Sequence, residues 1–89
     1  MDESEGIRYA VLLCDHTDHD VLLLDPGPAP FEVVKVHRAL TGVGILAARQ
    51  AVTGPLPVPV LTGIEERAAH RHAARLRAAG ATVEVRPHA

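Results

Sequence analysis

Apolar residues fall along this chain in short clusters separated by breakers, and the spacing inside each cluster points to a different element. Ile7–Cys14 and Val21–Leu24 are brief, nearly continuous apolar runs, rich in branched side chains and separated by the polar stretch "DHTDHD". Two such runs around a polar connector predict a β-hairpin. Their lack of alternation predicts that at least one strand is covered on both faces or lies beside a partner. "DPGPAP" (Asp25–Pro30) is a stiff loop by its Pro and Gly content, and "GPLPVP" (Gly54–Pro59) is a second breaker before "VLTG". From Ile64 to Ala79 the pattern is helical. Ile64, Ala68, His72 and Leu76 recur every four residues as the inward face, and Arg67, Arg71 and Arg75 line another. Glu65 and Glu66 in the first turn and arginines toward the end suit the helix dipole. Gly80 suits a C′ position, and "ATVEV" reads as a closing strand.

The stretch Val33–Gly44, "VVKVHRALTGVG", sets local rules against each other. Its valines favour a strand by propensity and are modestly poor helix formers. On a helical wheel, however, Phe31–Leu40 divides cleanly. Val33, Val36, His37 and Leu40 gather on one side; Phe31, Val34, Lys35 and Arg38 gather on the other. The helix is the better reading. Its second side then mixes large apolar groups with cations and faces outward.

With these elements in order, the chain resembles the C-terminal domain of the bacterial large-subunit ribosomal stalk protein. "DVLLLDPGPAPFEVVKVHRALTGVGILAARQAV" follows that domain's first strand, helix, Thr-Gly-x-Gly turn and second helix without a gap. "LPVPVLTGI" is similar to its Leu-Pro-x-x-Val-x-x-Gly-Val segment, and "AARLRAAGATVEVR" to its third helix and final strand. The resemblance implies an α+β fold, a β-α-α-β-α-β sandwich of three helices on a small antiparallel sheet (ClpS-like), spanning residues 19–89. Residues 1–18 would add an acidic tail and an extra N-terminal strand. It also implies that Thr41–Gly44 links two helices and lets them pack closely. A phosphate-binding glycine loop would instead be expected directly after a strand.

In that family the first helix and the start of the second recruit translational GTPases to the ribosome. Carried over position by position, the resemblance makes Phe31, Val34, Lys35, Arg38, Gly42, Gly44, Leu46 and Arg49 the partner-binding residues. Phe31 stands where the family has a smaller apolar residue, and Arg49 replaces a Lys. Pro30 and Leu46 stand where the family usually carries Lys, and Ala47 where it carries Glu, so the patch is less charged and more apolar. The family's helical N-terminal domain and hinge have no counterpart in the sequence, which reads as a free-standing paralogue of the domain.

Composition narrows the chemistry. The 89 residues suffice for one domain with a small core. Tyr9 and Phe31 are the only aromatics and the net charge is −2, so neither a membrane nor direct nucleic-acid binding is expected. Cys14 is alone, which excludes an intrachain disulfide and suits the cytoplasm. "MDESEG" has no apolar h-region of a secretory signal. "CDHTDHD" holds metal-ligating residue types, but consecutive turn residues seldom converge on one ion; no metal or cofactor is expected. Cys14 with His16 or His19 is the only local nucleophile pairing, and no catalytic residue is assigned. The arginines of the last helix read as a solvated face. The sequence therefore predicts a non-enzymatic interaction domain that docks a translational GTPase or other ribosome-associated protein. The alternatives are a self-associating, homodimeric module and a metal-responsive protein using the Asp15–Asp20 hairpin.

Overall fold

The computed structural model describes residues 17–88. Strand β1 (His19–Asp25) leads to helices α1 (Pro30–Thr41) and α2 (Ile45–Thr53); strand β2 (Val58–Ile64), helix α3 (Glu66–Ala78) and strand β3 (Thr82–Pro87) follow. The sheet order is β2-β1-β3, and β1 pairs antiparallel with both neighbours. Three helices on a three-stranded antiparallel sheet is the α+β arrangement expected from the sequence.

Both edges of β1 are thus taken by strands from further along the chain, and the Ile7–Cys14 half of the expected hairpin, the extra N-terminal strand, lies outside the described residues. His19 and Asp20, expected in the turn of that hairpin, instead open β1. The second breaker also gives way, since Val58 and Pro59 already belong to β2. Pro59, which cannot donate to a ladder, is tolerated because β2 is an edge strand.

Period-two alternation sends Val21 and Leu23 of β1 fully into the core, while Leu22 and Leu24 on the opposite face are only half-buried. Val83 and Val60 flank them from the outer strands. Above the sheet lie Val33 and Val34 of α1, Ala48 and Val52 of α2, and Ala69, Ala73 and Leu76 of α3. The inward face of α3 is therefore turned by one position from the expected one. Ile64 ends β2, Ala68 and His72 lie half-buried at the margin, and the Nδ1 atom of His72 is buried without a partner.

Asp20 ties the strands together at one end. Between His19 and Val21 the β1–β2 register slips by one residue, leaving a bulge at Gly63, which adopts φ +66°. The Gly63 N–H, 43 residues away, donates to Asp20 Oδ1 at 2.9 Å, and His88 Nδ1 meets the same oxygen at 2.7 Å. The Gly63 hydrogen bond holds the Asp20 carboxyl below its ordinary 3.8, against a smaller effect of desolvation, and His88 and His19 lower it further.

Chain direction changes where the backbone can adopt positive φ. The α3 terminus closes as a Schellman motif, with Ala81 N–H donating to the Leu76 carbonyl at 3.1 Å and Gly80 N–H to Arg77 at 2.9 Å. Gly80 lies against Gly27 (φ +81°) of the β1–α1 loop, where any Cβ would overlap the Gly80 carbonyl. That contact joins the two ends of the molecule's long crossovers.

Among the described residues one polar side chain is buried with the core: His37 is 5% exposed. Thr41 Oγ1 donates to the His37 carbonyl at 2.8 Å and lies 3.3 Å from His37 Nδ1. With the hydroxyl proton given to the carbonyl, Nδ1 is the donor of the second contact. Burial lowers the His37 pKa from its ordinary 6.5.

Two expectations follow. Gly27→Ala combines positive-φ strain with backbone overlap and is expected to cost at least about 2 kcal/mol, read as a lower urea midpoint at unchanged slope; an unchanged midpoint would refute the close contact. For His37 the folded state favours the neutral ring, so its contribution is complete above pH 6.5 and declines as pH falls below that value. The stability difference between wild type and His37→Gln should therefore shift against the wild type on moving from pH 7.5 to pH 5.5.

Candidate functional site

The first turn of α1 begins the site. Ala29 at the N-cap has no capping side chain, and Pro30 at the first helical position presets φ where no N–H is needed. The next residue, Phe31, points away from the core and is 69% exposed. Val34, one turn on, is only 4% exposed. This corrects the wheel, which placed Val34 outward with Phe31. The wheel assumed a single buried side, but α1 packs against α2 as well as against α3 and β2, so two flanks of it are covered.

Helix α2 returns antiparallel beside α1. Its inward stripe is just Ala48 and Val52, one turn apart and both fully buried. Ile45 and Leu46 in its first turn stay outside, at 57% and 65% exposure. At the other end, Arg49 and Thr53 come beside the start of α1. Together with Pro30, Phe31 and Val34 they line an open, largely apolar groove of about 190 Å³. Thr53 Oγ1 donates to the Arg49 carbonyl at 2.6 Å, so its hydroxyl is satisfied within the helix.

Cations border this surface. Lys35 Nζ lies 3.2 Å from Glu32 Oε2 in an exposed pair, a contact of the kind that contributes about 0–1 kcal/mol. Arg38 and Arg49 are exposed and form no ion pair among the described residues. Helical spacing puts Phe31, Val34 and Arg38 along the side of α1 that faces α2, while Leu46 and Ile45 flank the turn end.

The turn itself works differently from the expectation. Gly42 is a left-handed cap at φ +75°, its N–H donating to the Arg38 carbonyl at 2.8 Å. Thr41 Oγ1 also accepts the Val43 N–H at 3.4 Å. A Cβ on Gly42 or Gly44 would meet nothing within 4 Å. Conformation therefore explains Gly42, and close helix packing explains neither glycine. Gly44 is the N-cap of α2 and offers no capping side chain.

Phe31, Lys35, Arg38, Gly42, Gly44, Leu46 and Arg49 are thus all exposed on the α1–α2 face, with Val34 as the groove floor. Ile45 and Thr53 were not anticipated. A branched apolar residue opening a helix reads as core, and nothing in the sequence marks Thr53 as part of a groove. The described residues include no group of three or more His, Cys, Asp or Glu able to hold a metal. Cys14, Asp15 and His16 lie outside them. No helix among the described residues is long and apolar enough to cross a membrane. The surface offers apolar area and positive charge, a combination suited to contact with a protein.

Residues 19–86 match the family profile described as the ribosomal protein L7/L12 C-terminal domain. The chain is 37% identical over 82 residues to the large ribosomal subunit protein bL12 of Chloroflexus aurantiacus, covering 92% of this chain and 61% of that protein. It is 39% identical over 72 residues to bL12 of Bartonella bacilliformis, covering 81% and 58%. With bL12 of Streptomyces griseus the identity is 42% over 69 residues, covering 78% and 54%. The chain spans about three-fifths of the length of the relatives it matches. From its first strand to its last, this chain belongs to the ribosomal protein L7/L12 C-terminal domain family, whose members are structural ribosomal proteins and not enzymes.

Proposed function

We propose that this stalk-like domain docks an acidic surface of a translational GTPase, or of another ribosome-associated protein, through α1 and the start of α2. The observation that carries this reading is the exposure of Phe31 over a groove it shares with Arg49, and of Ile45 and Leu46 toward the turn end of the same two helices, with Arg38 and Arg49 in no ion pair among the described residues. Scattered exposed apolar residues are ordinary, but a cluster of them rimmed by cations fits a protein-binding patch.

The roles divide by chemistry. Phe31, Ile45 and Leu46 would supply desolvated area, and Phe31 beside the Val34-floored groove would be the anchor. Lys35, Arg38 and Arg49 would steer the encounter and fix orientation, which makes association rate and salt dependence their signature. Lys35 is already shared with Glu32, so Arg38 should be the stronger of the two. Binding in the cytoplasm needs neither metal nor cofactor.

The test is binding of immobilised domain to a purified elongation-type GTPase at low and moderate salt. Phe31→Ala is expected to weaken binding by about 1–3 kcal/mol, mainly through faster dissociation. Lys35→Glu/Arg38→Glu should slow association and flatten the salt dependence. Equal affinity of all three proteins would overturn the reading. So would a mass that rises with concentration and falls in Phe31→Ala, because the patch would then be occupied by a second copy.

A further inference from the structure

The outer face of α3 carries charge that neither the core nor the proposed docking surface uses. Arg67, Arg71 and Arg75 are all exposed, and none has an ion pair among the described residues. Neighbouring charges on the helix are otherwise engaged. Glu65 Oε1 caps the Ala68 N–H, Glu66 lies 3.8 Å from His70, and Arg77 donates to the Val83 carbonyl at 3.1 Å.

We infer that this arginine stripe is a second binding surface, directed at the phosphate backbone of duplex RNA. Three properties favour that occupant. The first is spacing: residues four apart rise about 6 Å, so the stripe runs about 12 Å along the helix. A stripe of that length spans several successive phosphates of one strand. The second is residue type: all three are Arg, whose planar fork suits phosphate oxygens. The third is the surface around them. Ala74 and Ala78 are exposed on the same side of α3 and too small to hold a backbone away.

The overall charge of −2 conceals this. Asp2, Glu3, Glu5, Asp15 and Asp18 precede β1, whereas Arg8 is the one cation there, so the residues from His19 onward carry an excess of positive charge. The stripe has no aromatic residue to stack on unpaired bases, so it suits the backbone of a helix and not a single strand. This revises the expectation, drawn from net charge, that nucleic acid is not contacted. It does not depend on the GTPase reading.

The experiment is fluorescence anisotropy of a labelled 16-base-pair RNA duplex with the full chain, from 25 to 200 mM salt. Binding should weaken steeply with salt. Arg67→Gln/Arg71→Gln/Arg75→Gln should lower the slope of log Kd against log salt by roughly two to three and bind at least about tenfold more weakly at the lowest salt. Lys35→Gln/Arg38→Gln should bind the duplex like wild type, which separates this surface from the docking face. Unfolding curves check that each variant is folded. The inference is overturned if wild type does not bind, if the triple variant keeps the wild-type slope, or if a polyglutamate peptide of equal charge competes as well as unlabelled duplex. The last result would assign the stripe to an acidic protein segment.

Discussion

The fold depends on β1 being hydrogen-bonded along both edges while it places Val21 and Leu23 wholly inside. A strand in that position needs two partners, and the chain supplies them from far downstream. Helices α1 and α2 bring β2 to one edge, and α3 carries the chain over to the other. The same constraint makes Asp20 important. A bulge in β2 leaves the Gly63 N–H without its ladder partner, and a carboxylate on the central strand takes it up while also meeting His88 beyond β3. The Gly27–Gly80 contact does a comparable task at the opposite end, where Gly27 has no room for a side chain and Gly80 supplies the positive φ of the turn.

This shows what could be read in the sequence and what could not. Element order, the helix–turn–helix, the Gly80 cap and the closing strand were legible because each rests on local chemistry. The observed partners of β1 lie dozens of residues away, a pairing that no local pattern marks. Val34 was misplaced because a wheel allows one buried side, and α1 has neighbours on two. The α3 face was turned by one position because alanine marks inside and outside equally: Ala69 and Ala73 are buried, while Ala74 and Ala78 are exposed. The exposure of Phe31, Lys35, Arg38, Leu46 and Arg49 was legible. The groove was not, since it exists only where the end of α2 meets the start of α1.

The distribution of large and small residues bears on the docking surface. Among the described residues the core consists of Val, Ala and two fully buried leucines, and it also accommodates a histidine. Phe31, the largest apolar side chain among the described residues, lies outside. Fully burying it would be worth roughly 2–3 kcal/mol, a substantial fraction of a small domain's stability. Folding alone gives no reason to forgo that contribution while desolvating His37. An outward Phe on the same pair of helices as an outward Ile and Leu makes sense if the area is buried in a complex.

The two cationic surfaces differ in what accompanies the charge, and that difference decides what each can recognise. On α1 and α2 the cations border apolar area, so desolvation can supply affinity and charge can supply direction. Such a surface selects a partner by shape and tolerates moderate salt. On α3 the arginines border alanines, which offer almost no area to desolvate. Affinity there must come from charge and released counterions, and sequence-independent backbone contact is the recognition that this chemistry permits. A domain with both surfaces could hold a protein partner specifically while resting on a polyanion weakly, and because they lie on different helices neither interaction would need to displace the other.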